Sequence, residues 1–194
     1  MAKRVYFAFH YQDVIEFRAN VVRKHKEFIG IENAGYYDHS IWEESKKQGD
    51  LAVKRMINSE LEYTSVTAVL IGTHTWARRW VRYEIIKSIE RGNSLIGIHI
   101  NGIPGAIAGK SDPPKALGPD PFNNLGLRIS EDGTQATPYE WKDQKWQWYS
   151  DLAPFRVPQK PPDQRKKDLR LTTLYPTYDW VANKGSENFC DWIL

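Results

Sequence analysis

The sequence has 194 residues, enough for one domain with a modest extension and for a core that needs no covalent staples. Lys and Arg total 27 against 24 Asp and Glu, a formal charge of +3, which excludes a nucleic-acid binder built on one basic face. A single cysteine, Cys190, excludes a disulfide framework and a cysteine-rich zinc site; the apolar runs 66–72 and 95–100 are far short of a bilayer span, so a cytoplasmic protein without a membrane partner is expected.

Residues 4–9 (RVYFAF) are β-branched and aromatic and predict a buried first strand. Asp13 is placed to cap a helix with Val14, Phe17, Val21 and Val22 on one face. Residues 35–38 (GYYD) predict a short second strand, followed by a polar stretch, 39–49, that contains Trp42. Asp50 is placed to cap a second helix in which Val53, Ile57 and Leu61 recur every fourth residue. Residues 65–71 (SVTAVLI) predict a strand buried on both faces, 76–91 a third helix closed by Gly92, and 95–100 a fourth strand. Strand and helix alternating in this way argue for an α/β fold, a parallel sheet with helices on both faces.

The second half reads differently. Residues 101–120 are rich in Gly and Pro and predict loop. A hairpin is expected over 128–139, around the turn sequence Glu131-Asp132-Gly133. Trp141, Trp146, Trp148 and Tyr149 suggest a short helix over 140–152, laid on the core. Residues 154–170 are proline-rich and basic. Asp179 is placed to cap a closing helix, with Trp180 and Val181 at its start and Phe189, Trp192 and Ile193 at its end.

Several chemistries can be set aside. Gly109-Lys110-Ser111 resembles the end of a phosphate-binding loop, but position 104 is Pro104, and Pro113-Pro114 prevents the helix that such a loop requires. No GxSxG elbow is present, and no GxGxxG follows the first strand. The five histidines never fall at the i, i+4 spacing of a helical metal pair, so no metal is expected. What remains is the third helix, where Trp80 and Glu84 stand one turn apart on one face. A carboxylate beside a large aromatic is partly desolvated and can face a developing cation with little screening. On spacing alone the ordinary expectation is that Trp80 packs and Glu84 pairs with Lys87 or Arg82 at the surface, because charged helix residues are usually solvated. In open parallel sheets ligands sit outside the carboxyl ends of the strands. Phe9, His10, Tyr11, Asp38, Gly72 and His99 fall at or near such ends. Phe9 and Tyr11 are suited to stacking on a base or pyridine ring, and Asp38 to accepting from ribose hydroxyls; Phe9 as core, Asp38 as a turn and His99 as a satisfied core histidine are the plainer alternatives.

The opening VYFAFHYQD resembles the first strand of TIR and TIR-like domains, 35–38 their second strand and 64–72 their third. Arg79-Trp80-Val81-Arg82-Tyr83-Glu84-Ile85 is similar to the family signature S-x-W-C-x-x-E-L at its Trp and Glu. Residues 179–193 resemble the closing helix of the MTH-type TIR-like subfamily. The segments VYFAFHYQDVIEFRANVVR and RRWVRYEIIKSIERGN are most similar to the TIR-like signalling proteins of bacterial Thoeris anti-phage defence. The resemblance covers the first hundred residues firmly and the remainder loosely. It implies one flavodoxin-like domain over 1–194: core βα repeats at 1–105, an irregular aromatic-rich loop and hairpin extension at 106–175, and a closing helix at 176–194.

It also implies an enzyme that cleaves NAD at the nicotinamide–ribose bond and releases a cyclic ADP-ribose-type signal for a partner effector. By position, Glu84 would be catalytic, Trp80 a pocket aromatic, and Phe9, His10 and Tyr11 the loop that contacts NAD. Asp38 and Trp42 would border the loop that covers the substrate. No cofactor beyond NAD as substrate is implied, and self-assembly on activation is expected. Such chemistry suits a lone carboxylate: nicotinamide leaves neutral from a cationic ring, and the transition state is oxocarbenium-like. Ala8 stands where the family's strand carries Ser, and 41–49 (IWEESKKQG) lack the Pro-Gly of receptor-type domains. The alternative is a non-catalytic TIR-like interaction module, which needs no carboxylate at 84.

Overall fold

The computed structural model describes residues 4–25, 33–34 and 39–193. The chain opens with β1 (Val5–Ala8), every residue of it buried, then α1 (Tyr11–Ile15) and α2 (Arg18–Arg23). Asp13 lies inside the first turn of α1 and does not cap it. Phe17 breaks the expected helix at φ 64° and is 55% exposed, as Val21 is at 41%, while Arg18 is fully buried. A charge is tolerated there only because it is compensated. Arg18 forms ion pairs with Glu16 and Asp112, and its Nε and Nη2 donate to the carbonyls of Ile103 and Pro113 at 3.0 and 2.8 Å.

β2 (Asn33–Ala34) pairs with β1; the strand expected at 35–38 lies outside the described residues. The polar stretch after it is largely helical: α3 (His39–Lys47) ends on Lys46 and Lys47, whose charges suit a helix C-terminus. In α4 (Asp50–Leu61) Val53, Ile57 and Leu61 are buried as expected. Asp50 is the first residue of that helix and not its cap, and its carboxylate pairs with Arg79 at 2.7 Å. Next come β3 (Val66–Ile71), a 3-10 turn (Thr75–Ala77), α5 (Arg79–Arg91) and β4 (Ser94–His99). Gly92 closes α5 in the left-handed conformation, φ 83°, which favours glycine.

Beyond β4, β5 (Gly105–Ile107) and β6 (Lys110–Asp112) form a small hairpin. β7 (Leu125–Ile129) and β8 (Gln135–Lys142) make the hairpin expected at 128–139. The helix expected at 140–152 is absent. That segment continues β8 and returns as β9 (Lys145–Trp148), pairing Tyr139 with Trp148 and Trp141 with Trp146. The two-residue connection, Asp143 and Gln144, has φ 52° and 58°, the paired positive values of a type I′ turn. β10 (Phe155–Arg156), β11 (Asp168–Arg170), β12 (Thr177–Asp179) and α6 (Gly185–Ile193) complete the chain. Asp179 caps a turn and not α6: its Oδ1 accepts from the amides of Val181 and Ala182, three residues before the helix begins at Gly185.

The main sheet runs β2-β1-β3-β4-β12, parallel throughout, the order of a flavodoxin-like fold. Alternation along its strands feeds two cores. Tyr6, Ala8, Val69 and Ile71 face α4 and α5, whereas Val5, Phe7, Ala68 and Leu70 face α2 and α6. The second sheet, β10-β8-β7-β11 with β9 on β8, packs Leu125, Leu127 and Ile129 into the core beneath α5. No helix among the described residues is long and apolar enough to cross a membrane.

Candidate active site

Helix α1 and the segment after β3 are tied together at the carboxyl edge of the sheet. Thr75 Oγ1 accepts from the Gly72 amide at 2.9 Å and donates to Asp13 Oδ2 at 3.2 Å. Asp13 is 4% exposed, and burial pushes its carboxyl up to about 7. Gly118 passes so close beneath that a Cβ there would stand 2.0 Å from the Gly72 carbonyl oxygen. α5 starts from this platform, with Val81, Ile85, Ile86 and Ile89 buried against the sheet, so its orientation is fixed.

One turn apart on α5, Trp80 and Glu84 line a cavity of about 420 Å³. The surface pairing open to Glu84 from spacing does not form. Arg82 bonds Glu140, Lys87 bonds Glu90, and Glu84 is 4% exposed beneath the aromatic walls. Tyr6 Oη donates to Glu84 Oε1 at 2.6 Å, and Oε2 is buried without a partner. Burial pushes the carboxyl up to about 8, with the Tyr6 hydrogen bond opposing. An acid in this state is a strong acceptor in waiting. A cation entering the cavity favours its ionised form, and the unused Oε2 is where that cation's charge is met.

The structure brings Phe9, His10, Tyr11 and Trp42 to the same cavity as Trp80 and Glu84. Asp38 lies outside the described residues. Trp80 is clamped by the Arg79 guanidinium 4.6 Å from its ring centre and by Tyr83 edge-on at 6.0 Å. Arg79 is itself fixed by Asp151, at 2.7 and 2.8 Å. His10 is held neutral, lowered to about 4 first by burial and then by the charges of Arg78, His74 and Lys46. Lys46 stands 5.5 Å from the Trp42 ring centre. His99 and Gly72, at the ends of β4 and β3, do not line this cavity among the described residues. Lys46, Arg78 and Arg79 do, and sequence reasoning passed over all three. The i, i+4 spacing of Trp42 and Lys46 would have pointed to Lys46 had 39–49 been read as a helix. A broader depression of about 620 Å³ lies on the second sheet between Arg128, Tyr139, Trp148 and Arg170, but its carboxylate, Asp168, is already bonded by Arg128.

Residues 6–104, from β1 through the end of β4, match the family described as Thoeris protein ThsB, TIR-like domain. The chain belongs to the ThsB TIR-like family. Over 195 residues, the whole of both chains, it is also 53% identical to a Bacillus cereus (strain MSX-D12) protein named putative cyclic ADP-D-ribose synthase ThsB1. The ThsB match contains every described residue of the candidate site, and the second sheet lies outside it.

Proposed function

We propose that this ThsB-family chain cleaves NAD at the nicotinamide–ribose bond and closes the remainder into a cyclic ADP-ribose-type signal that activates a partner effector in anti-phage defence. The observation that carries the reading is the unpartnered Oε2 of Glu84 at the floor of an aromatic cavity. The name of the Bacillus cereus relative, putative cyclic ADP-D-ribose synthase ThsB1, supports the choice of product.

The C1′–N bond breaks with its electron pair passing to the pyridinium ring, which leaves as neutral nicotinamide. No acid is needed. Positive charge develops on the ribose, and the Glu84 carboxylate opposes it. An adenine nitrogen or a hydroxyl of the same molecule then attacks C1′; a hydroxyl nucleophile releases its proton to solvent. Water in that role gives linear ADP-ribose, so Phe9, Tyr11, Trp42 and Trp80 act by excluding it. Self-assembly on activation is part of the same proposal. The test is mass spectrometry of small molecules from infected cells expressing the chain. A new species at the mass of ADP-ribose less water supports the cyclase; ADP-ribose alone limits the activity to hydrolysis.

The protonation state gives a second test. The active form is the carboxylate, which the free protein carries by half near pH 8 and fully only well above it. Hence kcat/KM for nicotinamide release should rise with pH through a midpoint near 8, whereas the midpoint in kcat lies lower because the bound pyridinium favours the ionised acid. Tyr6→Phe, which removes the one donor to Oε1 among the described residues, should move both midpoints up. A profile flat from pH 6 to 10 would contradict the assignment.

A further inference from the structure

The cavity over Glu84 adjoins a second, of about 380 Å³, and His10 and Arg78 line both. Gln12, Asp13, Glu16, Thr73, His74 and Lys115 form the other walls of the second cavity, at the carboxyl ends of β1 and β3. The strand order reverses between those two strands, where open α/β sheets hold their ligands.

Arg78 is exposed and, among the described residues, forms no ion pair. Its neighbours differ: Arg79 is held by Asp50 and Asp151, and Arg82 by Glu140. Arg78 also precedes α5 without capping it, so the amides of Arg79, Trp80 and Val81 open the 13-residue helix with no intrahelical acceptor. That terminus does not stand alone, because the buried, unpartnered Glu84 Oε2 faces the same cavity. The negative charges of the second cavity are muted. Burial pushes Asp13 up to about 7, and Glu16 is paired with Arg18 and Lys115. A guanidinium with free donors beside bare helix amides is a site for a doubly negative phosphate group.

We infer that Arg78 anchors the diphosphate of a dinucleotide lying across both cavities, with its nicotinamide riboside over Glu84 and its adenosine half over the second cavity. The inference rests on the NAD-cleaving reading for its ligand. Arg78 and Glu84 are six residues apart, about 9 Å along the helix axis, which keeps the diphosphate charge clear of the carboxylate. The site thereby discriminates dinucleotides from nucleosides: nicotinamide riboside presents the scissile bond but nothing for Arg78 to hold.

Calorimetric titration of the full chain with ADP-ribose and with nicotinamide riboside tests this, with circular dichroism checking that each variant is folded. Arg78→Gln should weaken ADP-ribose about tenfold or more while nicotinamide riboside shifts by less than about twofold, and Arg78→Lys should retain part of the affinity as a point charge. Equal weakening of both ligands, or an ADP-ribose affinity that Arg78→Gln leaves unchanged, would overturn the assignment. Binding is read without turnover. Loss of ADP-ribose affinity at Arg78 in a chain that releases no nicotinamide from NAD supports the anchor and removes the activity. Nicotinamide release with an ADP-ribose affinity indifferent to Arg78 does the reverse.

Discussion

Glu84→Gln should lower nicotinamide release from NAD by on the order of 10²–10³-fold, the cost of removing one preorganised electrostatic partner from a transition state. Gln has the same shape and can still accept from Tyr6 Oη, so only the charge is lost. The same variant should be more stable than the parent in alkali. In the folded chain the Glu84 carboxyl titrates near 8, against 4.5 when unperturbed, so between those values the folded state holds a proton that the unfolded state has released. Stability from this group is therefore complete below pH 4.5 and is lost as pH rises through about 8. Glutamine abolishes that loss. Its Tm should exceed the parent's at pH 8–9 and approach it at pH 5, with each recovered kcal/mol raising Tm by roughly 2–4 °C at this length. Activity down with alkaline stability up separates a buried functional charge from a damaged core. Unchanged nicotinamide release in Glu84→Gln would take Glu84 out of the mechanism and return the chain to the interaction-module alternative.

What the sequence discloses is what depends on neighbours in the chain. The buried run of β3 and the fourfold recurrence of Val53, Ile57 and Leu61 are local patterns, and the structure follows them. Arg18 is the opposite case. Nothing near it in sequence marks it as core, because its burial is licensed by Asp112 and by the carbonyls of Ile103 and Pro113, some ninety residues away. The 140–152 segment carries a local signal of paired strands and not of the helix expected there. Tyr139 and Trp141, then Trp146 and Trp148, alternate on either side of two residues that take left-handed conformations, a hairpin pattern disguised because Asp143-Gln144 lacks the usual glycine. At the site, the Trp80–Glu84 spacing was legible, and so was its ambiguity. The decision between cavity and surface was made by Tyr6, 78 residues distant, and by Glu140, which removes Arg82 as a surface partner.

That last contact carries the largest expected effect on stability. Arg82 Nη1 and Glu140 Oε2 meet at 2.5 Å, with Arg82 8% and Glu140 6% exposed, and Arg82 Nε donates to the Trp76 carbonyl at 3.1 Å. The pair joins α5 to β8, and so joins the helix bearing Glu84 to the second sheet. Removing one partner leaves a buried charge uncompensated, which costs about 3–5 kcal/mol. Glu140→Ala should therefore lower Tm by roughly 6–20 °C, at about 2–4 °C per kcal/mol. Replacing both partners by apolar residues, as in Arg82→Met with Glu140→Leu, should recover most of that loss, since the price of an ion pair in this setting is mainly the price of breaking it on one side. Thermal unfolding of Arg82→Met, Glu140→Leu and the double variant closes the cycle. A drop below about 1 kcal/mol in Glu140→Ala would place the pair with solvent-screened surface bridges and leave the second sheet without a part in holding α5.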